Sequence, residues 1–496
     1  MANTKEHIVM FPFMAQGHII PYLALALQIE QRKNYTITFV NTPLNIKNLR
    51  SSLPPNSSIH LLEIPFSSSD HSLPPDTENT NVLPYHLIIQ LIEASTSLEP
   101  SFKKLIENFI EQGNPPLCII ADIFFGWTAS IAKELNVFHA IFTVSSAYGL
   151  ACYYSLWMNL PHRKENSDEF SLPDFAEASN VHITQLPTNI LEADGTDAWS
   201  VFQSKNLPEW VNSDGILVNT VEEFDQVGLL YFKRKLGSPA WPNIGPILLS
   251  RENREGGMSL EPCIEWLNTK PLKSVLYVSF GSQNAISASQ MMQLAMGLEA
   301  SDKNFIWVIR PPIGFELNTE FKAKEWLPKG FEERIKESRR GLLVYNWAPQ
   351  VEILSHKAVS AILTQCGWNS VLEALNHSVL LIGWPLAAEQ SFNAKLLEEE
   401  MGVCVEVARG KSNEVRHEDI AAKIELVMNE TQQKEKEMRR KAFEASEMIR
   451  NAIKDEEGFK GSSVKAMDEF FSAALSMREK TMREQNVAVL IEGKRI

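Results

Sequence analysis

Short apolar runs rich in β-formers alternate with helical stretches along nearly the whole chain. In the first half the predicted strands are 7–13, 36–41, 60–64, 116–120, 139–142 and 215–219, with a helix predicted at 21–31. In the second half the predicted strands are 274–280, 304–310, 341–346, 359–364, 378–383 and 403–407. Apolar runs separated by helices are typical of parallel strands covered on both faces. The pattern predicts an α/β protein with two doubly wound parallel-sheet domains.

The two series of strands are separated by residues 248–262, a polar, glycine-bearing stretch without periodicity. We interpret it as an interdomain linker. The expected domains are therefore 1–247 and 263–465. Residues 466–496 are expected to form a C-terminal helix and tail that pack back on the first domain.

Composition narrows the possible partners and compartments. A length of 496 residues fits two domains, and a net charge of −14 disfavours nucleic acid as a partner. The five cysteines are odd in number and scattered, which favours a reducing compartment over a disulfide or zinc scaffold. The longest apolar stretch, 379–388, is far shorter than the roughly 20 residues of a membrane helix. We expect a cytoplasmic monomer with no membrane span.

The glycine fingerprints of dinucleotide and ATP-phosphate loops, GxGxxG and GxxxxGK[ST], are absent from the sequence. Hydride transfer and P-loop chemistry therefore lose most of their support. The segment 365–370, Gln-Cys-Gly-Trp-Asn-Ser, instead follows a predicted strand and precedes a helix. Unpaired N–H groups at a helix N-terminus favour a phosphate, and Asn369 and Ser370 can add donors. Taken alone, the same pair also fits simple capping of the helix.

A wider pattern surrounds this segment, because Trp347 and Gln390 bound a 44-residue stretch that contains it. The stretch resembles the signature box of plant UDP-dependent small-molecule glycosyltransferases. Further segments that resemble this family are 11–18, 219–224, 245–246, 278–282 and 327–331. The resemblance implies the GT-B architecture, in which two Rossmann-like domains face each other across a cleft. The first domain would hold the acceptor and the second the nucleotide sugar.

The resemblance also implies which residues bind the donor. They are Trp347 and Ala348 for uracil, Gln350 and Glu373 for the ribose, Ser282, Gln365, Gly367, Asn369 and Ser370 for the diphosphate, and Trp368, Glu389 and Gln390 for the sugar. A closing Gln is associated in this family with glucose more often than with galactose. UDP-glucose is therefore the expected co-substrate, with no other cofactor. No carboxylate cluster calls for a divalent ion, so no metal is expected.

Two donor-site positions depart from the family pattern. Most members have His where Gln365 stands, and many have Asp where Glu389 stands. Gln keeps a neutral N–H donor but cannot become cationic, so we expect weaker charge stabilisation of the leaving UDP. Glu389 keeps the carboxylate but reaches one methylene further.

A candidate base lies at the end of the first predicted strand. His18 is the only histidine in that turn, and such turns border the ligand crevice of α/β sheets. On its own, a histidine there could be structural. The resemblance implies that His18 is the catalytic base and that Asp122, after the strand 116–120, is its partner. A carboxylate fixes the tautomer of an imidazole and stabilises the charge it gains with a proton.

The acceptor side is less defined by the sequence. Its candidate residues are Phe13, Phe124, Ser145 and Tyr148. Aromatic residues near the turns can line an apolar pocket, although most of them would be core residues. Two stretches, 67–84 and 161–177, are predicted as surface loops of the kind that hold substrate. The acceptor can be a flavonoid, another phenolic, a terpenoid, a hormone or an already glycosylated compound.

The predicted function is inverting transfer of glucose from UDP-glucose to a hydroxyl of a small lipophilic acceptor. Alternatives are another UDP-sugar as donor or a non-catalytic UDP-binding protein of the same fold, for which Gln365 is the best support. A third class, an NAD-dependent oxidoreductase, fits doubly wound sheets but lacks the glycine fingerprint.

Overall fold

The computed structural model of the chain describes residues 5–33, 35–236, 244–248, 260–315, 319–410 and 413–492. Its strands are β1 (His7–Phe11), β2 (Thr36–Asn41), β3 (His60–Glu63), β4 (Cys118–Asp122), β5 (Phe138–Thr143), β6 (Glu169–Phe170), β7 (Val181–His182), β8 (Gly215–Val218), β9 (Val275–Ser279), β10 (Asn304–Ile309), β11 (Gly341–Tyr345), β12 (Val359–Thr364), β13 (Leu380–Gly383), β14 (Cys404–Glu406), β15 (Asp455–Glu456) and β16 (Phe459–Lys460).

Helices cover both sheets. They are α1 (Gln16–Lys33), α2 (Pro43–Arg50), α3 (Ile88–Ser95), α4 (Glu99–Glu111), α5 (Trp127–Glu134), α6 (Ala147–Asn159), α7 (Thr188–Leu191), α8 (Ala198–Glu209), α9 (Gln226–Leu236), α10 (Leu260–Asn268), α11 (Ala288–Ala300), α12 (Ala323–Trp326), α13 (Phe331–Ser338), α14 (Gln350–Leu354), α15 (Trp368–Asn376), α16 (Gln390–Lys395), α17 (His417–Met428), α18 (Gln433–Ala452) and α19 (Ser462–Glu492).

The strands form two six-stranded sheets of the same topology, β3-β2-β1-β4-β5-β8 and β11-β10-β9-β12-β13-β14. All pairings within both sheets are parallel. In each sheet the order reverses at the first strand, and ligands of such sheets bind beside that point at the carboxyl ends of the strands. The predicted fold class is confirmed.

The last helix, α19, packs against the first sheet. Its apolar face joins a cluster that contains residues of β1, β2, β4 and β5. The rings of Phe138 and Phe470 lie 5.7 Å apart, and those of Tyr35 and Phe471 lie 5.1 Å apart. Most of the predicted linker 248–262 lies outside the described residues, and α10 begins at Leu260.

Three local predictions were wrong. Helix α1 begins at Gln16 rather than at residue 21, so His18 lies in its first turn and not in a loop before it. The stretch 67–84 is not simply a surface loop, because Thr77, Glu78, Asn79 and Thr80 are buried. The Glu78 backbone carbonyl and the Asn79 side chain both hydrogen-bond the side chain of Asn45. The stretch 161–177 likewise contributes β6 and three buried apolar residues, Phe170, Leu172 and Phe175, to the fold.

Candidate active site

A cleft between the two domains brings the predicted residues together. It is bordered by the carboxyl ends of β1 in the first sheet and of β9, β11, β12 and β13 in the second. Every predicted donor-binding residue lines it, and so does His18. These residues come from segments up to 372 positions apart in the chain, between His18 and Gln390. The parallel topology explains why distant segments meet here, because the carboxyl ends of all strands of one sheet lie at the same edge.

The turns on the second-domain side have unusual backbone geometry. Asn346, Cys366 and Ala388 all have positive φ angles, of 67°, 63° and 52°, and Gly281 has a φ of 73°. The positive-φ region is uncommon for residues with a Cβ atom. Such conformations cluster at functional sites, where the surrounding structure holds them in place. These four residues lie in the turns that follow β9, β11, β12 and β13, at the edge of the cleft.

One hydrogen-bonded group lies where the ribose is expected. The Gln350 Nε2 atom donates to the Ser370 Oγ at 2.9 Å and to the Glu373 carboxylate at 2.7 Å. Trp347 is half-buried and Ala348 is buried beside it. The amide and the carboxylate hold each other in fixed orientations, and the carboxylate can accept from vicinal hydroxyls of a ligand.

The N-terminus of α15 borders the cleft where the diphosphate is expected. Gly367 precedes the helix, whose first-turn N–H groups lack intrahelical partners. The Asn369 Nδ2 atom donates to the Gly17 carbonyl of the first domain at 3.2 Å. That carbonyl is available because Pro21, four residues later in α1, has no N–H to bond it. Pro21 in the first domain therefore leaves the Gly17 carbonyl available for its contact with Asn369 of α15.

Gln365 is packed tightly against the turn after β9. Its Oε1 atom accepts from the Thr364 hydroxyl at 3.0 Å. A Cβ atom built on Gly281 would lie 2.3 Å from the Gln365 Nε2, and one on Gly367 would lie 2.9 Å from it. Glycine at 281 is thus required both by its positive φ and by the Gln365 side chain above it.

The expected sugar-binding residues have different surroundings. Glu389 is partly exposed in the cleft, and its Oε1 atom accepts from the Asn393 Nδ2 at 3.2 Å. The Gln390 Oε1 accepts from the backbone N–H groups of Leu386 and Ala387. The Trp368 indole is buried, and its Nε1 donates to the Asn219 carbonyl of the first domain at 2.6 Å. The indole N–H of Trp368 is therefore already used by a contact between the domains.

His18 and Asp122 form a hydrogen-bonded pair on the first-domain wall. The His18 Nδ1 lies 2.8 Å from an oxygen of Asp122, whose other oxygen accepts from the Phe124 N–H at 3.2 Å. The Asp122 side chain is fully buried, whereas that of His18 is 19% exposed. A carboxylate can only accept, so the proton lies on Nδ1 and the lone pair on Nε2. Burial lowers the pKa of His18, but Asp122, helped by the more distant Glu389, raises it above its usual value overall.

The four acceptor candidates separate into two groups. Phe13 and Phe124 lie beside His18, with ring centroids 5.8 Å and 5.6 Å from that of its imidazole, and Phe13 is buried. None of the four candidates is among the residues that line the cleft. Tyr148 is 1% exposed and packs against Phe175 in the core. The structure does not bring Tyr148 to the site.

Two cleft-side residues were missed from the sequence. Among the described residues that line the cleft, Arg310 is the one arginine or lysine. Its guanidinium donates to the carbonyls of Gly281, Ser282 and Asn346 and so ties together the turns after β9 and β11. Its position directly after a strand could have marked it. Asn393, which contacts Glu389, lies inside α16, so no strand end marks it in the sequence.

Among the described residues, no group of three or more His, Cys, Asp or Glu side chains is arranged to hold a metal ion. In the same part of the chain, none of the helices has the length and apolar content needed to cross a bilayer.

Comparison with known proteins identifies the family. The family model described as "UDP-glucoronosyl and UDP-glucosyl transferase" matches residues 260–446, and "Glycosyltransferase, N-terminal domain" matches 5–223. UDP-glycosyltransferase 92A1 of Arabidopsis thaliana is 53% identical over 96% of this chain and 99% of its own length. Crocetin glucosyltransferase 3 of Crocus sativus is 43% identical over 85% and 90%.

A solved structure agrees with these relatives. The crystal structure of Glycyrrhiza uralensis UGT73P12 complexed with glycyrrhetinic acid 3-O-monoglucuronide has a TM-score of 0.83 and 28% identity, and the match covers 99% of this chain and 100% of that one. The expected GT-B architecture and enzyme class are thereby confirmed. The chain belongs to the plant UDP-glycosyltransferases, enzymes that transfer a sugar from a UDP-sugar to small molecules.

Proposed function

We propose that this protein transfers glucose from UDP-glucose to a hydroxyl of a small lipophilic acceptor, with inversion at the anomeric carbon. The observation that carries the proposal is the 2.8 Å contact between His18 and the buried Asp122, at the wall of a cleft lined by the predicted donor residues. A base with one nitrogen held by a carboxylate has its other nitrogen available for a proton.

In the proposed mechanism His18 acts as general base. Its Nε2 takes the proton of the acceptor hydroxyl, the oxygen attacks the anomeric carbon, and the bond from that carbon to the UDP oxygen breaks. An α-linked donor then gives a β-glycoside. Asp122 stabilises the imidazolium that forms. The N–H groups at the start of α15 stabilise the negative charge that develops on the leaving UDP.

Glucose is proposed as the sugar on two grounds. Gln390 closes the signature box, and a relative that is 43% identical bears the name of a glucosyltransferase. The lipophilic acceptor is supported by Phe124, which is partly exposed and whose ring centroid lies 5.6 Å from that of His18. We assign acceptor binding to domain 1–247 and donor binding to domain 263–465.

The test is mass spectrometry of products after the purified protein meets competing UDP-sugars and a panel of phenolic and terpenoid acceptors. We expect a hexose adduct that derives from UDP-glucose. Added chelator should leave the yield unchanged, because helix N–H groups and neutral donors serve the diphosphate. An adduct from another UDP-sugar would overturn the donor assignment alone. UDP-dependent thermal stabilisation without any adduct, unchanged by His18→Ala, would favour the binding-only alternative.

A further inference from the structure

Asn393 connects the sugar side of the cleft with the first domain. It lies in α16 and is fully buried. Its Nδ2 atom donates to the Glu389 carboxylate at 3.2 Å and to the Cys366 carbonyl at 3.1 Å. Its Oδ1 atom accepts from the hydroxyl of Ser146, which belongs to the first domain, at 2.6 Å. The Asn393 amide therefore contacts the turn after β12, the Glu389 carboxylate and the first domain.

The first-domain end of this connection is equally constrained. Ser146 is the N-cap of α6, and its hydroxyl oxygen accepts from the Gly149 N–H at 2.8 Å. A Cβ atom built on Gly149 would lie 2.3 Å from the Asn393 Oδ1, so only glycine leaves room for the amide. The hydroxyl of Ser146 thus caps its own helix as an acceptor and reaches the second domain as a donor.

The amide atoms of Asn393 are all engaged in hydrogen bonds. A buried amide must satisfy its hydrogen bonds within the protein, and each lost partner costs about 1–3 kcal/mol. Because both Nδ2 protons and the Oδ1 are used, rotation of the amide would break contacts in both domains at once. The Glu389 carboxylate is thereby held in a position set by the first domain, which also carries His18 and Asp122.

We propose that Asn393 is a positioning residue that fixes Glu389, and with it the donor sugar, relative to the acceptor domain through Ser146. This inference rests on the proposed function, in which Glu389 binds the sugar. It assigns to Asn393 an effect on the sugar and not on the UDP part of the donor. Misplacement of a reacting group by about 1 Å can cost about 100-fold in rate, so this contact is expected to matter for turnover.

The test compares Asn393→Ala and Ser146→Ala in wild-type and Glu389→Ala backgrounds. We expect Asn393→Ala to lower kcat about 10- to 100-fold while UDP affinity, measured by calorimetry, changes less than about threefold. In the Glu389→Ala background the same change should cost less than about threefold, because the group that Asn393 positions is absent. Ser146→Ala should act in the same direction but less strongly. Ser287→Ala, which removes a serine N-cap from α11, is the matched control and should leave kcat unchanged.

Equal losses in both Glu389 backgrounds, or an equal loss of UDP affinity, would overturn the proposal and leave Asn393 a purely structural residue. If Asn393→Ala fails to fold, Gly149→Ala displaces the amide without removing it and carries the same comparison. If no acceptor is turned over, the proposed function fails separately. The ratio of UDP-glucose to UDP affinity then decides, and Asn393→Ala should lower it.

Discussion

The two domains share one topology but differ in what their strand ends provide. In the second domain the turns after β9, β11, β12 and β13 all line the cleft, and most of the lining lies in the continuous segment 347–390. In the first domain the proposal assigns the chemistry to two isolated positions, His18 after β1 and Asp122 at the end of β4. Under the proposed function, the second domain binds the UDP-sugar, and the first supplies the base and the acceptor surface.

The largest effect is expected from a substitution in the first domain, at His18. His18→Ala should lower kcat about 10²- to 10⁴-fold, because general-base catalysis contributes that much. UDP affinity should stay within about twofold, because the nucleotide is bound by the other domain. Steady-state kinetics and calorimetry on the same preparation measure both quantities. His356→Ala, at a partly exposed histidine whose ring contacts Asn268, is the control. A matching loss of UDP affinity would contradict the division between the domains.

The second effect concerns the pair rather than the base alone. The pKa of His18 is raised, so log kcat/KM of the wild type should rise with pH and level off above an apparent pKa higher than 6.5. Asp122→Asn removes the main group that raises this pKa and leaves burial, which lowers it. The rising limb should then move to lower pH. The plateau should fall about 100-fold, since the tautomer is no longer fixed.

A second variant, Glu389→Gln, checks the interpretation of the Asp122→Asn pH–rate profile. Glu389→Gln removes a weaker contribution of the same sign, so its limb should shift in the same direction by less. A limb that stays in place in Asp122→Asn would mean that the observed ionisation is not that of His18.

The third effect tests the second domain. Glu373→Gln keeps the shape of the side chain but removes the charge that accepts from Gln350 and that is proposed to accept from ribose hydroxyls. UDP affinity should fall about 10-fold, the size of a lost hydrogen bond to a charged group. At saturating donor, kcat should change by less than about threefold. A fall in kcat with unchanged UDP affinity would place Glu373 in the chemistry instead.

The sequence predicted all twelve strands of the two six-stranded sheets, because buried parallel strands appear as continuous apolar runs, but not the short antiparallel pairs β6-β7 and β15-β16. The resemblance of the segment 347–390 to the family's signature box, and of 278–282 to another segment of the family, supplied the set of donor candidates, and these residues line one cleft. The start of α1 was missed, because Gly17 and Pro21 are both unfavourable in a helix interior. Burial of Glu78 and Asn79 was missed because their partner Asn45 lies more than 30 residues away. Tyr148 gave no sign of facing the core, since an aromatic residue near a turn fits both environments.

The smallest expected effect concerns Gln365, one of the two donor positions that depart from the family pattern. Gln365→His places a group that can become cationic beside the expected diphosphate. UDP affinity should rise about three- to tenfold, and the gain should be larger below pH 6.5, where imidazole is protonated. Gln365→Met, of similar length but without a donor, should weaken binding at all pH values. Calorimetric titrations at pH 6 and pH 8 measure both variants.

The surroundings of Gln365 give the opposite outcome a clear meaning. Its side chain covers Gly281 and Gly367, and its Oε1 accepts from Thr364. A flat imidazole has one ring nitrogen for Thr364 and another for the ligand, but less reach than Gln. If Gln365→His weakens UDP binding, the turn after β9 has been fitted to the longer amide. Gln365 would then be matched to its neighbours Gly281, Gly367 and Thr364, and its departure from the family pattern would not weaken UDP binding.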